Sequence, residues 1–462
     1  MAQEMTVMEK IVSLAKRRGF IYQGSEIYGG LAGTYDYGPL GSLLKNNIRD
    51  SWVRTFVHSR EDIYLLDAAI LMNARVWEAT GHTKEFIDPL VEDLKTHKRY
   101  RADHLLEEAG VEAAGLSIEA MSAAIRDNAI KSPDGNPLGD VRAFNMMLET
   151  RVGAAVDTSA ISYLRPETAQ GIFVNYKNVI DSMHPKLPFG IAQVGKAFRN
   201  EITPRDFTFR LRELEQMEIE YFIRPDIDWE PLFEEWLELQ KGWLAAVGVD
   251  VAKLRQYEHP DAARSHYSKK TVDWEFAFPF GTKELTGLAH RTDFDLSRHA
   301  AASGVRLDYL DESTGDRFVP HVLEPTVGLD RAVLATLCSA YSTDEMGDGE
   351  REYLKLAPSV APVRAAVFPL LKNKPELVGK AREVYSRLKQ EISNVAFDDN
   401  GNIGKRYRRQ DEIGTPHCIT IDFDTLGETP EHKDTVTLRD RDSGSQERVH
   451  VDELLSLLRT AH

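Results

Sequence analysis

Charge gathered on what reads as one face of a sheet is the feature of this chain best able to do chemistry. Between Gln193 and Phe222, QVGKAFRNEITPRDFTFRLRELEQMEIEYF, the sequence predicts two strands joined by a short loop at Pro204-Arg205-Asp206. Alternation at period two puts Gln193, Gly195, Ala197, Arg199 and Glu201 on one face of the first strand. On the second strand Phe209, Leu211, Met217, Ile219 and Tyr221 form an apolar side, while Arg210, Arg212, Gln216, Glu218 and Glu220 occupy the other. A single strand of this kind favours an amphipathic hairpin with salt-bridged outward charges. Two facing strands that each offer Arg and Glu shift the reading toward a ligand platform.

Other candidates lie on separate elements. Glu167 in LRPETAQGIF precedes a helix expected to start near Thr168, where a carboxylate is a cap, a dipole partner or a group pointed at a bound ammonium. The segment Thr271 to His290 alternates as two further strands around Pro279-Phe280-Gly281, and Glu284, Thr286, Leu288 and His290 are expected to share a face. A strand from Phe318 to Glu324 leads into PTVGLDRAVLATL, read as a helix with Gly328 and Arg331 in its first turns. Helix N-termini bind phosphate and a nearby arginine strengthens the site, although Arg331 also reads as an ordinary surface residue.

The elements that must position these residues fit a large soluble chain. Its 462 residues suggest two or three domains. A net charge of −16 argues against indiscriminate binding to nucleic acid or anionic membrane, while leaving room for a local basic patch. Cys338 and Cys418 stand far apart without metal-ligand spacing, which fits a reducing cytoplasm. The N-terminus reads as a short amphipathic helix and no stretch approaches membrane-spanning length. Ile21 to Gly41 is crowded with Gly and Tyr and reads as loop, followed by a long helix from Pro39 through Trp52. From Glu85 to about Thr150 charged helical repeats look inserted, with Lys98, Arg99, Arg101 and His104 most simply a solvated helix face. A Pro- and Ala-rich boundary near Lys355 to Val363 opens an α/β segment. Its run Lys405, Arg406, Arg408, Arg409 around Tyr407 combines positive charge with a stacking ring, as single-stranded nucleic acid requires; a solvated helix face competes.

These residues carry a resemblance. Phe198-Arg199-Asn200-Glu201 with the return Arg210-Leu211-Arg212-Glu213 resembles motif 2 of class II aminoacyl-tRNA synthetases. Gly328-Leu329-Asp330-Arg331 resembles motif 3, and Gly38-Pro39-Leu40-Gly41 to Trp52 resembles motif 1. Together with LRPETAQGIF, EPTVGLDR and GNIGKRYRRQDEIGTP, the set is similar to glycyl-tRNA synthetases of the dimeric type over nearly the whole chain. The resemblance implies an α+β fold: an antiparallel sheet flanked by helices, broken by an insertion, then an anticodon-binding domain. The boundaries expected are 1–84, 85–154, 155–354 and 355–462. It implies a cytoplasmic homodimer, no membrane contact, and ATP with Mg2+, glycine and tRNA(Gly) as substrates.

The resemblance also implies roles. Arg199, Arg331 and Glu284 would be catalytic: Arg199 on the α-phosphate, Arg331 on the γ-phosphate, Glu284 beside Leu285 along the nucleotide and near magnesium. Asn200, Glu201, Phe209, Arg210, Leu211, Arg212, Glu213, Leu214, Gly328, Leu329 and Asp330 would complete the ATP site. Glycine would meet Arg101, Glu167, Leu214, Glu215, Gln216, Met217, Glu218, Glu324, Pro325, Thr326, Val327 and Gly328. Lys405, Arg406, Arg408 and Arg409 would bind tRNA. Two departures bear on this. Some relatives carry a cysteine pair where this chain has Ser132-Pro133-Asp134-Gly135, so no zinc and no protein-only metal site are expected. Leu214 stands where an aromatic commonly follows the Arg-Glu pair, leaving Phe209 to pack the adenine. Rival readings are a non-catalytic nucleic-acid-binding relative, which would lose the ATP arginines and pocket glutamates, or a synthetase for histidine, threonine or proline.

Overall fold

The computed structural model of the chain describes residues 5–113, 115–153, 161–261, 268–346 and 349–460. The expected boundary at 154/155 lies outside the described residues. The centre is a sheet of seven strands: β1 (Ile63–Leu66), β2 (Phe189–Phe198), β3 (Glu213–Ile223), β4 (Leu254–Glu258), β5 (Lys270–Phe278), β6 (Gly281–Thr292) and β7 (His321–Gly328). Their order is β4-β5-β6-β7-β3-β2-β1, antiparallel throughout except where β1 meets β2. Helices α1 (Pro39–Val53), α2 (Ala169–Met183), α3 (Glu230–Ala246), α4 (Phe294–Ser303) and α5 (Leu329–Ala340) pack around it.

Alternation along the strands divides the sheet chemically. Met217, Ile219 and Tyr221 of β3, Leu323 and Val327 of β7, and Leu288 of β6 enter one large core with Leu44, Ile48 and Trp52 of α1, Trp236 and Trp243 of α3, and Val333 and Leu337 of α5. α1 begins on Pro39, whose fixed φ suits a first helical position, and buries Gly41, Leu44, Ile48 and Trp52 at helical spacing. A Cβ at Gly41 would sit 1.8 Å from the Phe20 carbonyl oxygen, so only glycine lets this helix start where it does.

The charged hairpin exists with a longer connection than expected. Glu218 lies opposite Gln193 and Glu220 opposite Ile191, but β3 starts only at Glu213. Asp206 and Phe207 take positive φ values of 61° and 58°, which a strand cannot accommodate, and Phe207–Phe209 form a single 3-10 turn. Arg212 then ties the loop down by donating to the carbonyls of Glu201 and Ala32. Pro325 to Gly328, expected in a helix, instead end β7, and the helix begins at Leu329. The expected strand from Phe318 is split, with Arg317–Phe318 a separate two-residue strand.

Residues 85–153, expected as an insertion, are also not a set of charged helices. Three short strands, Ile87–Glu92, Arg99–Arg101 and Arg142–Asn145, form a sheet against helices Ala102–Glu108 and Ile118–Asp127, around Val91, Leu106, Met121 and Ile125. The turn Ser132-Pro133-Asp134-Gly135 is organised by Asp93, whose carboxylate accepts from Ser132 Oγ, Asn136 Nδ2 and the backbone of Lys95 and Thr96.

Beyond the boundary, β8 (Ala365–Pro369), α6 (Pro375–Glu391), β9 (Val395–Phe397), α7 (Ile403–Glu412) and β10 (His417–Ile421) follow the expected alternation. β11 (Thr435–Asp440) and β12 (Gln446–His450), which the sequence pattern had not singled out, extend the sheet in the order β9-β8-β10-β11-β12. No helix is long and apolar enough to cross a membrane among the described residues.

Candidate active site

The face of the sheet opposite the large core carries two adjoining chemistries. The first is a cleft lined by Arg199, Glu201, Phe209, Arg210, Glu284 and Arg331. Arg199 reaches it from the end of β2, steadied by a 3.0 Å bond from Nε to the Pro166 carbonyl. Arg331, in the first turn of α5, has its guanidinium carbon over the Phe209 ring at 4.3 Å and meets Glu284 at 3.1 Å. Phe209 is itself held edge-on by Phe278 and Phe280. Glu284 is 53% exposed, and the Arg331 guanidinium holds its carboxyl below the usual carboxylate range.

Glu284 arrives by a route alternation does not predict. The β5–β6 register shifts at Trp274/Glu275, so Glu284 pairs with Glu275 while Thr286 pairs with Trp274. Directly paired residues point to the same face, and the bulge therefore moves Glu284 off the face of Thr286, Leu288 and His290. It joins the side of Gly287, Thr326 and Glu218 instead.

The second chemistry is a buried carboxylate pocket. Glu218 accepts from Thr168 Oγ1 and, at 3.1 Å, from Thr326 Oγ1. Glu324 meets Arg291 Nη1 at 2.7 Å, and Arg291 also grips Asp295 through Nε and Nη2. Glu167 accepts from Gln170 and faces His82 at 3.4 Å. Burial opposes its charge, but His82, Arg291 and Gln170 outweigh that and hold its carboxyl far below the usual range. Carboxylate oxygens of Glu218, Glu220 and Glu324 lie within 4.8 Å of one another. Burial raises the Glu218 and Glu324 carboxyls, with Glu167 adding to the first and Arg291 opposing the second. Buried carboxylates this close together favour a compensating positive charge.

Comparison with known proteins agrees with this geometry. A model of the tRNA synthetase class II core domain (G, H, P, S and T) matches residues 157–340, and one of an anticodon binding domain matches 364–461. Glycine–tRNA ligases from Thermus thermophilus, Thermobifida fusca and Clostridium kluyveri are 47%, 48% and 49% identical, each over 98% of both chains. The chain belongs to the glycine–tRNA ligase family. Its α+β class II core and anticodon-binding domain are those expected from the sequence motifs.

Of the residues expected in the glycine–tRNA ligase site, Leu211, Leu214, Gln216, Leu285 and Gly328 line the cleft, as do Glu215 and Asp330, while the side chains of several are engaged in packing or pairing. Met217 and Val327 face the large core, Pro325 packs beside Trp52 and Phe56, and Glu215 pairs with Lys45, because a strand segment offers only every second side chain to one face. Arg101, on the sheet of residues 87–145, pairs with Asp88 at 2.8 Å and with Asp103, near enough to the cleft to feel the charge of Glu201. Asp330 is a brace: it accepts from Tyr37 Oη, Lys45 Nζ and the Glu215 backbone, locking α5 to α1 and β3. Leu329 is fully buried, Arg212 anchors the loop, and Glu213 pairs with Lys196 on the surface. Asn200 contributes a backbone bond to the Met146 carbonyl. In α7, Arg406 is 1% exposed and donates to the carbonyls of Pro369, Asp399 and Gly401. Arg408 donates to the Glu350 and Met346 carbonyls, Arg409 pairs with Asp398, and Tyr407 packs inward on Phe368.

Other pocket residues were not foreseen: His82, Gln170, Arg291 and Asp295, together with Glu220, whose place on the charged face was visible but given no role. The signal was weak, since Arg291 and Asp295, four residues apart, straddle a strand-to-helix junction where neither periodicity applies.

Proposed function

We propose that the protein is a glycine–tRNA ligase, joining glycine to ATP as glycyl-adenylate with release of pyrophosphate and then passing glycine to the 3'-terminal ribose of tRNA(Gly). The observation that carries the reading is the charge imbalance of the pocket beside the arginine-lined cleft. Glu167, Glu218 and Glu324 offer negative charge to a substrate ammonium, and Arg291, already bonded to both Asp295 and Glu324, leaves that demand unmet.

Attack of the glycine carboxylate on the α-phosphorus brings anions together, so the barrier falls if fixed cations sit where charge grows. Arg199 serves the α-phosphate, and Arg331, over Phe209 and held by Glu284, serves the far end of the nucleotide. Phe209 with Arg331 gives the adenine a flat wall. Magnesium enters with ATP, and Glu284, ionised and half open to solvent, has the donor chemistry a hard cation takes. Positioning then supplies most of the rate, without a side-chain nucleophile.

Glycine has no side chain to grip, so selection rests on denying space at Cα. Glu324 and Thr326 form that wall, and the methyl of alanine costs about 1–3 kcal/mol of overpacking. The domain division at 85–154 and 355, the homodimer, the cytoplasmic location and tRNA contact through Lys405 belong to the same proposal. ATP–pyrophosphate exchange against each standard amino acid tests it: exchange with glycine and little with alanine or serine supports the reading, and equal exchange with alanine ends it.

A further inference from the structure

Glu220 has no assigned part in the chemistry above, yet it is the most confined acid in the pocket. It lies two residues beyond Glu218 on the same face of β3, is 0% exposed, and both of its carboxylate oxygens lack a hydrogen-bond partner among the described residues. The backbone opens a gap there. The β3–β7 ladder runs from Gln216/Gly328 to Glu218/Thr326 and resumes only at Tyr221/Leu323. Pro325, which has no N–H to give, stands in that gap beside Glu324. Gln193, opposite Glu218, is also fully buried with both amide atoms unpartnered.

The charged groups facing Glu220 come from four elements: Glu218 on its own strand, Glu324 on β7, Arg291 on β6 and Asp295 on α4. Arg291 is engaged by Asp295 and Glu324. An ionised Glu220 would be a buried anion with no hydrogen bond beside other carboxylates, an arrangement proteins relieve by protonation. Only the neutral acid has a proton to donate, and the carboxylates of Glu218 and Glu324 lie within 4.8 Å to accept it.

We propose that Glu220 is a proton-bearing positioning residue: a neutral carboxylic acid that donates its one O–H to the Glu324 carboxylate, beside Glu218, and so sets the charge and orientation these acids present to the substrate ammonium. Burial first, and then the charge of Glu324, pushes its carboxyl well above the ordinary range, in the direction this role requires. The inference rests on the glycine reading, deepening it by separating the acids that bind from the acid that holds them.

Glycine-dependent pyrophosphate exchange by the full-length wild type, Glu220→Gln, Glu220→Ala and Glu324→Gln, with difference infrared spectra of wild type and Glu220→Gln, tests the proposal. Glutamine keeps a neutral donor, so Glu220→Gln holds the glycine KM within about threefold. Glu220→Ala and Glu324→Gln raise it roughly 10-fold or more, as expected for loss of hydrogen bonds to charged groups. The wild-type spectrum carries a protonated-carboxyl carbonyl band that Glu220→Gln removes. A Glu220→Gln defect as large as that of Glu324→Gln, or the absence of that band, overturns the proposal. Wild-type protein inactive on glycine would sink the underlying reading, and the band would still decide the protonation of Glu220.

Discussion

Two arginine-rich regions of this chain look alike in sequence and behave oppositely in the fold. Arg199 and Arg331 border the cleft; Arg331 bonds the Phe209 carbonyl through Nε and Glu284 through Nη1, with no partner for Nη2 among the described residues, and Arg199 is tethered through a single Nε bond. In α7, Arg406, Arg408 and Arg409 spend their guanidinium groups on backbone carbonyls and on Asp398, and the ring between them packs inward. A cation is available to a ligand only where the fold has not already consumed its donors. In the proposed function the first region acts on phosphate, while the bonds of the second brace α7 against its own domain and against Met346 and Glu350.

That contrast is exposed first by Arg199→Ala or Arg331→Ala. Either lowers adenylate formation by roughly 100-fold or more, through loss of one positioned charge-stabilising group. Pyrophosphate exchange with a parallel melting curve checks it, and near-normal exchange in a folded variant breaks the assignment. Arg406→Ala does the reverse. Stranding buried carbonyls costs about 1–3 kcal/mol for each group, so the variant unfolds at lower denaturant while exchange per folded molecule stays near normal. Urea titration measures the loss.

Asp273, on the site side of β5, gives a pH signature. Burial, with help from the Glu284 charge, pushes its carboxyl up to about 6, although His259 bonds it at 2.7 Å. A folded-state value above the unfolded one means the proton is held more tightly when folded. The stabilisation is then full below about pH 4 and is lost as pH rises through 6. Asp273→Asn should flatten this slope, gaining on the order of 1–2 kcal/mol relative to wild type between pH 4 and 7. The smallest effect is at Lys405, the exposed member of the α7 cluster. Lys405→Ala should change stability by less than about 0.5 kcal/mol. It should raise the tRNA KM a few-fold and lower the salt slope by about one.

The architecture was largely legible because the motif residues sit on regular elements whose periodicities are strong: α1, the β2–β3 pair, α5 and the C-terminal alternation. Misreadings arose where a local device overrode the pattern. The β6 bulge changed the face of Glu284, positive φ at Asp206 and Phe207 delayed β3, and Pro325 disguised the end of a central strand. Within residues 87–145, strands as short as Arg99–Arg101 carry too few residues to show alternation. The Arg291–Asp295–Gln170 network joins β6, α4 and α2 and has no signature in any one of them. Exposure failed as a guide in α7 because charge alone does not reveal which carbonyls await it.

The central claim, that buried carboxylates hold the substrate by its ammonium, is tested most directly by Glu324→Gln with two readouts: the glycine KM in pyrophosphate exchange and the ATP affinity by calorimetry. The account predicts a glycine KM raised roughly 10- to 100-fold, the cost of a lost charge-assisted contact, with ATP affinity unchanged. A variant that keeps both its glycine KM and its turnover would contradict it.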